Sequence, residues 1–153
     1  MYIVFDIGGS KTRIGASRDC KTIKGDPVKI DTPANFAEGM DRFKEIALEL
    51  ADGEPIKGIA GGIGGPINPE KTMLLEINKA NLRDWIKRPL VDELSSRCNA
   101  PVFLENDTAI VGLGEAHAGA GMGYEIVVYI TVSTGVGGVR IVDGKIAPRV
   151  YGF

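Results

Sequence analysis

The stretch Val4-Phe5-Asp6-Ile7-Gly8-Gly9-Ser10-Lys11-Thr12-Arg13-Ile14-Gly15 decides the fold. Tyr2 to Ile7 is β-branched and aromatic, so it reads as a buried strand interrupted only by Asp6. A carboxylate at the end of such a strand costs free energy unless it is paired, solvated or facing a metal. Gly8 and Gly9 let the backbone approach a ligand closely, and the N–H groups of a tight turn can cradle an anion. Thr12 to Ser17 then alternates as a second strand. These residues alone leave two readings open: a phosphate-binding hairpin with an acid beside it for Mg²⁺, or an ordinary glycine-rich turn. A Walker-type P-loop is excluded. It needs a Gly directly before its Lys-Ser/Thr and a helix after it, whereas Ser10 precedes Lys11 and a strand follows. A dinucleotide fingerprint fails because it too needs a helix.

Outward from this hairpin, Lys21–Ile30 reads as a third strand. Asp31-Thr32-Pro33 is a helix-start signal. Phe36, Met40, Phe43, Ala47 and Leu50 share one helical face, and Gly53 supplies the left-handed stop. Ile56–Ile63 is a strand running into the loop Gly64-Gly65-Pro66-Ile67-Asn68-Pro69. Thr72–Ile77 reads as a short hairpin arm. Pro89 opens a short helix with Leu90, Val91 and Leu94 on one side. Pro101–Leu104 is a strand leading to Glu105-Asn106-Asp107, and Thr108–Ala118 is helical. Gly112 and Gly114 in that helix predict close packing against a neighbour. Strands alternating with helices predict an α/β sheet containing at least one antiparallel hairpin.

Gly119-Ala120-Gly121-Met122-Gly123 is a flexible spacer, which sets the expected domains at 1–118 and 119–153. Beyond it, Glu125–Thr131 and Val139–Val142 are β, Ser133–Gly138 is a glycine-rich turn, and Asp143-Gly144 is a hairpin turn. Hairpins of this length do not bury a core alone, so the second region is an appendage or the start of a truncated domain.

The bulk composition narrows the function classes. A formal net charge of -2 gives no electrostatic footprint for nucleic acid or an anionic membrane. No apolar run approaches a membrane span, and the N-terminus has no export signal, so a cytoplasmic location is expected. Cys20 and Cys98 fit no zinc spacing and read as reduced thiols. The 21 glycines are about twice average usage and are clustered, so specific loops need explaining.

Three features converge: Asp6 with Gly8–Thr12, Glu105-Asn106-Asp107 at a strand end and helix start, and Ser133–Gly138. Two turns with N–H groups could clamp a phosphate chain, one acid could take a proton from an alcohol, and another could hold Mg²⁺. Phosphoryl transfer needs mainly positioning and charge neutralisation. Taken singly, Asp107 could be a plain N-cap, and Gly135 with Gly137-Gly138 a bulge and bend. His117 reads as an exposed helix-end residue. Met40, Met73, Trp85 and Phe103 read as packing residues, with Trp85 also a candidate for the border of a sugar cleft.

The chain resembles a ROK-type sugar kinase of the superfamily that includes hexokinase, actin and the Hsp70 ATPase domain. The resemblance rests on Asp6–Lys11, Gly61-Gly62-Ile63-Gly64-Gly65-Pro66, Asn81-Leu82 with Trp85, Glu105-Asn106-Asp107 followed by Gly114-Glu115, and Thr131–Gly138 ahead of Asp143-Gly144. It implies a ribonuclease H-like (actin-like ATPase) fold, a mixed sheet flanked by helices, with the first hairpin of a truncated second domain. It implies ATP and Mg²⁺ as cofactors and a hexose, of the glucose or N-acetylhexosamine type, phosphorylated to its 6-phosphate.

Residue by residue, the resemblance makes Asp107 the catalytic base. Gly65, Asn81, Glu105, Asn106 and Asp107 form the sugar site. Asp6, Gly8, Gly9, Ser10, Lys11, Thr12, Thr134, Gly135, Gly137 and Gly138 form the nucleotide site, with Asp6 positioning Mg²⁺ through water. A carboxylate at a helix N-terminus is held ionised by the dipole, as a base must be.

Departures also count. Ser10 stands where Thr is usual, and Val139-Arg140 follows Gly138 where another Gly is common. The family's Glu-x-Gly-His element, its zinc loop, its adenosine pocket and its returning C-terminal helix are not found in the sequence. The expectation is therefore an N-terminal fragment of a kinase, with little activity alone. A homodimer is a further expectation, since the family often dimerises and a truncated sheet can pair its exposed edge. The competing readings are a sugar-responsive ROK-like transcriptional regulator, a different kinase of the superfamily, and a non-catalytic sugar-binding or interaction domain.

Overall fold

The structure, a computed structural model, describes residues 1–76, 80–132 and 136–152, with the side chains of residue 80 and of 148–152 excepted. In chain order the elements are β1 (Tyr2–Ile7), β2 (Lys11–Ser17), β3 (Val28–Asp31), α1 (Phe36–Ala51), β4 (Gly58–Ile63), a 3₁₀ helix (Ala80–Trp85), α2 (Leu90–Cys98), β5 (Val102–Asn106), α3 (Asp107–Ala118), β6 (Ile126–Val132), β7 (Val136–Val142) and β8 (Lys145–Gly152). They form two compact units, Met1–Glu105 and Asn106–Phe153.

The first unit is a five-stranded sheet in the order β3-β2-β1-β4-β5. β1 pairs antiparallel with β2, Asp6 opposite Arg13, and parallel with β4, Ile7 opposite Ile63. Alternation places Ile3, Phe5 and Ile7 on one face, where they are buried with Ile14, Ile59 and Ile63. α1 lays Met40, Phe43, Ile46 and Ala47 into this core. Phe5 and Phe43 meet edge to face at 5.4 Å between ring centroids. Trp85 closes one end: it is buried, packs at right angles on Phe36, and donates its indole N–H to the Pro33 carbonyl at 3.0 Å. That settles it as a packing residue. Gly61 makes the β1/β4 approach possible, since a Cβ there would lie 2.2 Å from the Phe5 carbonyl oxygen.

Five local expectations are corrected. The third strand covers only Val28–Asp31. Its expected first half is wound into a turn by Asp19, whose carboxylate accepts the N–H groups of Lys21 and Thr22, both at 2.9 Å. α1 starts later than Asp31-Thr32-Pro33: Asn35 is its N-cap and accepts from the Glu38 N–H at 3.0 Å. Its left-handed stop is Asp52 (φ 52°), with Gly53 (φ 77°) following. The Thr72–Ile77 arm reduces to isolated bridges of Leu74 with Ile67 and Ile86, and Ile77 itself lies outside the described residues. Phe103 is 67% exposed rather than packed, because β5 alternation points it away from the face that buries Leu104.

In the second unit β6, β7 and β8 form an antiparallel sheet, and α3 packs on β6 and β7. Ala109, Val139 and Ile141 form its small core. Gly112 lets the helix approach, since a Cβ there would lie 2.3 Å from Val139 Cγ1; nothing lies within 4 Å of one at Gly114, so only the first glycine serves packing. This packing places α3 with the strands that follow it, and the Gly119–Gly123 turn lies inside the second unit. Asp143 and Gly144, both left-handed, make the β7–β8 turn as expected. His117 is exposed, and its Nε2 lies 2.8 Å from the Gly144 carbonyl. Cys20 and Cys98 are free thiols. Among the described residues no helix is long and apolar enough to cross a membrane.

Candidate functional site

The turn after β1 is built by backbone bonds and one buried hydroxyl relay. The Gly8 N–H donates to the Lys11 carbonyl at 2.9 Å, and a Cβ at Gly8 would lie 3.1 Å from that oxygen. The Thr32 N–H donates to the Ser10 carbonyl at 3.1 Å. The Thr32 hydroxyl donates to the Gly8 carbonyl at 2.7 Å and lies 3.0 Å from the Thr12 hydroxyl. Thr32 has one hydroxyl hydrogen, so Thr12 is the donor of the second bond. Both threonines are buried, and Ser10 and Lys11 are exposed. The side chain of Lys11 is ion-paired with Asp31.

Asp6 is half-exposed and ion-paired with Arg13 at 2.7 Å. Among the described residues no group of three or more His, Cys, Asp and Glu side chains could hold a metal. A single carboxylate can serve Mg²⁺ where the ion keeps several waters and takes further ligands from phosphates.

The β4 loop lies beside that turn, because the Gly64 N–H donates to the Ile7 carbonyl at 2.9 Å. Gly65 has φ 125°, a backbone that L side chains rarely adopt. Downstream, Asn68 organises the loop: its Oδ1 accepts from Thr72 N at 2.7 Å and Met73 N at 2.9 Å. Lys71 then reaches Glu105 at the end of β5 in an ion pair. Asn81 is exposed on the 3₁₀ helix. In the first unit, then, Asp6, Gly8–Thr12 and Gly65 gather where β1 and β4 end, the ends at which open α/β sheets bind ligands.

In the second unit Asn106 is the N-cap of α3, its Oδ1 accepting from the Ala109 N–H at 3.2 Å. The plain-cap reading of Asp107 is thereby corrected. Asp107 is the first helical residue, partly buried, and its Oδ1 accepts from the Thr108 N–H at 2.7 Å. Gly137 and Gly138 are strand residues of β7, opposite Thr131 and Ile130, rather than members of a turn. Their ladder bonds to β6 and β8 overrode the glycine signal. A Cβ at Gly137 would lie 3.0 Å from Thr108 Oγ1, so β7 runs close to the first turn of α3. Thr134 and Gly135 lie outside the described residues.

A profile of the ROK family matches residues 2–152. The chain belongs to the ROK family. Among its ROK relatives are a glucokinase of Thermotoga maritima, 35% identical over 91% of this chain and 44% of the relative, and an N-acetyl-D-glucosamine kinase of Salmonella heidelberg, 32% identical over 95% and 47%. A ROK family glucokinase from Streptomyces griseus, solved in complex with glucose and AMPPNP, superposes with a TM-score of 0.82 at 29% identity over 95% of this chain and 46% of that one. The mixed sheet flanked by helices is thus the actin-like ATPase fold of ROK sugar kinases. The chain spans about half the length of the curated relatives it matches.

Sequence reasoning missed Thr32, Arg13 and Lys71. Thr32 gave a misleading signal, inside an apparent helix start. Arg13 was legible in principle, since it faces Asp6 in any two-strand hairpin with this turn. Nothing in the sequence marked Lys71.

Proposed function

We propose that the protein carrying this chain transfers the γ-phosphoryl group of ATP to the 6-hydroxyl of a hexose, of the glucose or N-acetylhexosamine type. The observation that carries the reading is Asp107: a carboxylate at the first position of α3, relieved of capping by Asn106. A carboxylate in that position can take the hydroxyl proton as the oxygen attacks phosphorus. Asn106, Glu105, Asn81 and Gly65 orient the sugar. Gly8–Thr12 and residues 134–138 are the phosphate-binding segments, Gly137 and Gly138 contributing as strand residues at the edge of theirs. Asp6 would hold Mg²⁺ through water, which neutralises charge on the transferred group. In this reading the chain supplies the N-terminal domain of a two-domain kinase of the cytoplasm and the start of its second.

The test is coupled ADP release with glucose, fructose, N-acetylglucosamine and N-acetylmannosamine. A protein of the relatives' full length that carries this chain is expected to turn over at least one of them, and residues 1–153 alone to show little activity. No turnover by the full-length protein with any of the four overturns the kinase reading. Robust turnover by residues 1–153 overturns the reading of the chain as an incomplete kinase.

A further inference from the structure

Asn68 closes the loop after β4 into a small cage. It is buried, at 8% exposure. Its Oδ1 accepts from Thr72 N at 2.7 Å and Met73 N at 2.9 Å, and its Nδ2 donates to Glu70 Oε2 and Thr72 Oγ1, both at 2.8 Å. That uses both donors and both acceptor positions of a primary amide. The Asn68 N–H donates to the Met73 carbonyl at 3.1 Å, and the Asn68 carbonyl accepts from Lys71 N at 2.9 Å. The Val91 N–H, in the first turn of α2, donates to the Thr72 carbonyl at 3.2 Å and ties the cage to that helix. Inside it Lys71 is held at φ 57°, in the left-handed region that residues other than glycine seldom enter. From there its ammonium meets Glu105 Oε2.

The pair is unequal. The Lys71 side chain is 52% exposed and that of Glu105 only 14%. A half-exposed ammonium adds little to folding stability. Its effect falls on the carboxylate, which is drawn out of water and oriented by the groups that reach it. Glu105 is the penultimate residue of β5 and directly precedes Asn106 and Asp107 in the chain. The cage and the pair lie wholly in the first unit.

We propose that Lys71 is a positioning residue for sugar binding: held by the Asn68 cage, it fixes the Glu105 carboxylate in the orientation that accepts a hydroxyl of the hexose. The inference rests on the sugar-site reading of Glu105 given above. A carboxylate offers about four acceptor positions, so an ion pair and a sugar hydroxyl are compatible on one group. An untethered glutamate side chain has several rotatable bonds, and fixing them on binding weakens affinity. Lys71 removes part of that loss before the sugar arrives.

Titration calorimetry of a full-length protein carrying this chain tests it, with the tightest-binding of the four sugars named above and with the KM for ATP measured beside it. Lys71→Met keeps the stem and removes the charge. It is expected to weaken sugar binding at least ~3-fold, with the circular dichroism spectrum and the KM for ATP unchanged. Glu105→Gln keeps an acceptor oxygen, and hence measurable binding. In that background Lys71→Met is expected to add no further loss, because Lys71 acts through the carboxylate. A purely structural role carries the same loss into both backgrounds, and that result overturns the proposal. So does a loss below ~3-fold in the native background, or a KM for ATP that rises by more than sugar affinity falls. A native protein that binds sugar without phosphorylating it overturns the kinase reading and leaves the Lys71–Glu105 cycle measurable. A native protein that binds none of the four sugars overturns the proposal as well.

Discussion

Thr32→Val removes one hydroxyl and keeps the side-chain shape. In the native turn that hydroxyl donates to the Gly8 carbonyl at 2.7 Å and accepts from Thr12 across 3.0 Å, with Thr32 3% and Thr12 4% exposed. The variant leaves a carbonyl and a hydroxyl without their buried partner. Each such group costs about 1–3 kcal/mol, and hydroxyl rotation with the gain of a buried methyl offsets part of this, so the net loss is expected to be about 1–3 kcal/mol. Urea unfolding of residues 1–153, read by circular dichroism, measures the loss as a fall in midpoint at constant slope. Thr32→Ser keeps the donor and should recover most of the stability. In a full-length kinase carrying the chain, Thr32→Val should also raise the KM for ATP more than that for sugar, because the turn it braces is the proposed phosphate cradle. A loss below about 0.5 kcal/mol, the size of an ordinary surface change, would refute the claim that the relay holds the turn.

Gly61→Ala should unfold the first unit or reduce it to a minority species, because its Cβ would fall 2.2 Å from the Phe5 carbonyl oxygen and 2.4 Å from the Phe5 ring; a cooperative transition with an unchanged midpoint would contradict the packing. Asp84 is held below its ordinary pKa first by the Phe36 N–H and then by Arg88. Its contribution is therefore complete above the unfolded value of 3.8 and is lost as pH falls through the lower folded value. The stability gap between the native chain and Asp84→Asn should close on acidification below about pH 4, measured as urea midpoints against pH.

The order of elements was legible because each carried a local signal strong enough to survive folding: the β-branched and aromatic run of β1, alternation in β2, the Phe36–Met40–Phe43–Ala47 face of α1, and Asp-Gly at the β7–β8 turn. The errors share a cause. Polar side chains were assigned to local roles that tertiary partners took over. Asp19 captured two N–H groups and shortened β3, and Thr32 was drawn from a helix start into the turn after β1. Asn106 took the cap that Asp107 could have filled. Gly137 and Gly138 look like turn residues in sequence and become strand only because β6 and β8 flank them. Two-thirds exposure of Phe103 is invisible in a run of apolar residues, since alternation states which residues share a face and not which face is covered.

The central claim, that Asp107 at the head of α3 is the base of a sugar kinase, is tested most directly by Asp107→Asn in a full-length protein carrying this chain. The variant keeps the fold and the hydrogen-bonding shape at the helix start while removing the proton acceptor. The account predicts that sugar binding, followed by titration calorimetry, is largely retained while ATP-dependent phosphorylation, followed by coupled ADP release, falls by ~10²–10⁴-fold. Phosphorylation at a near-normal rate by a folded Asp107→Asn variant would contradict it.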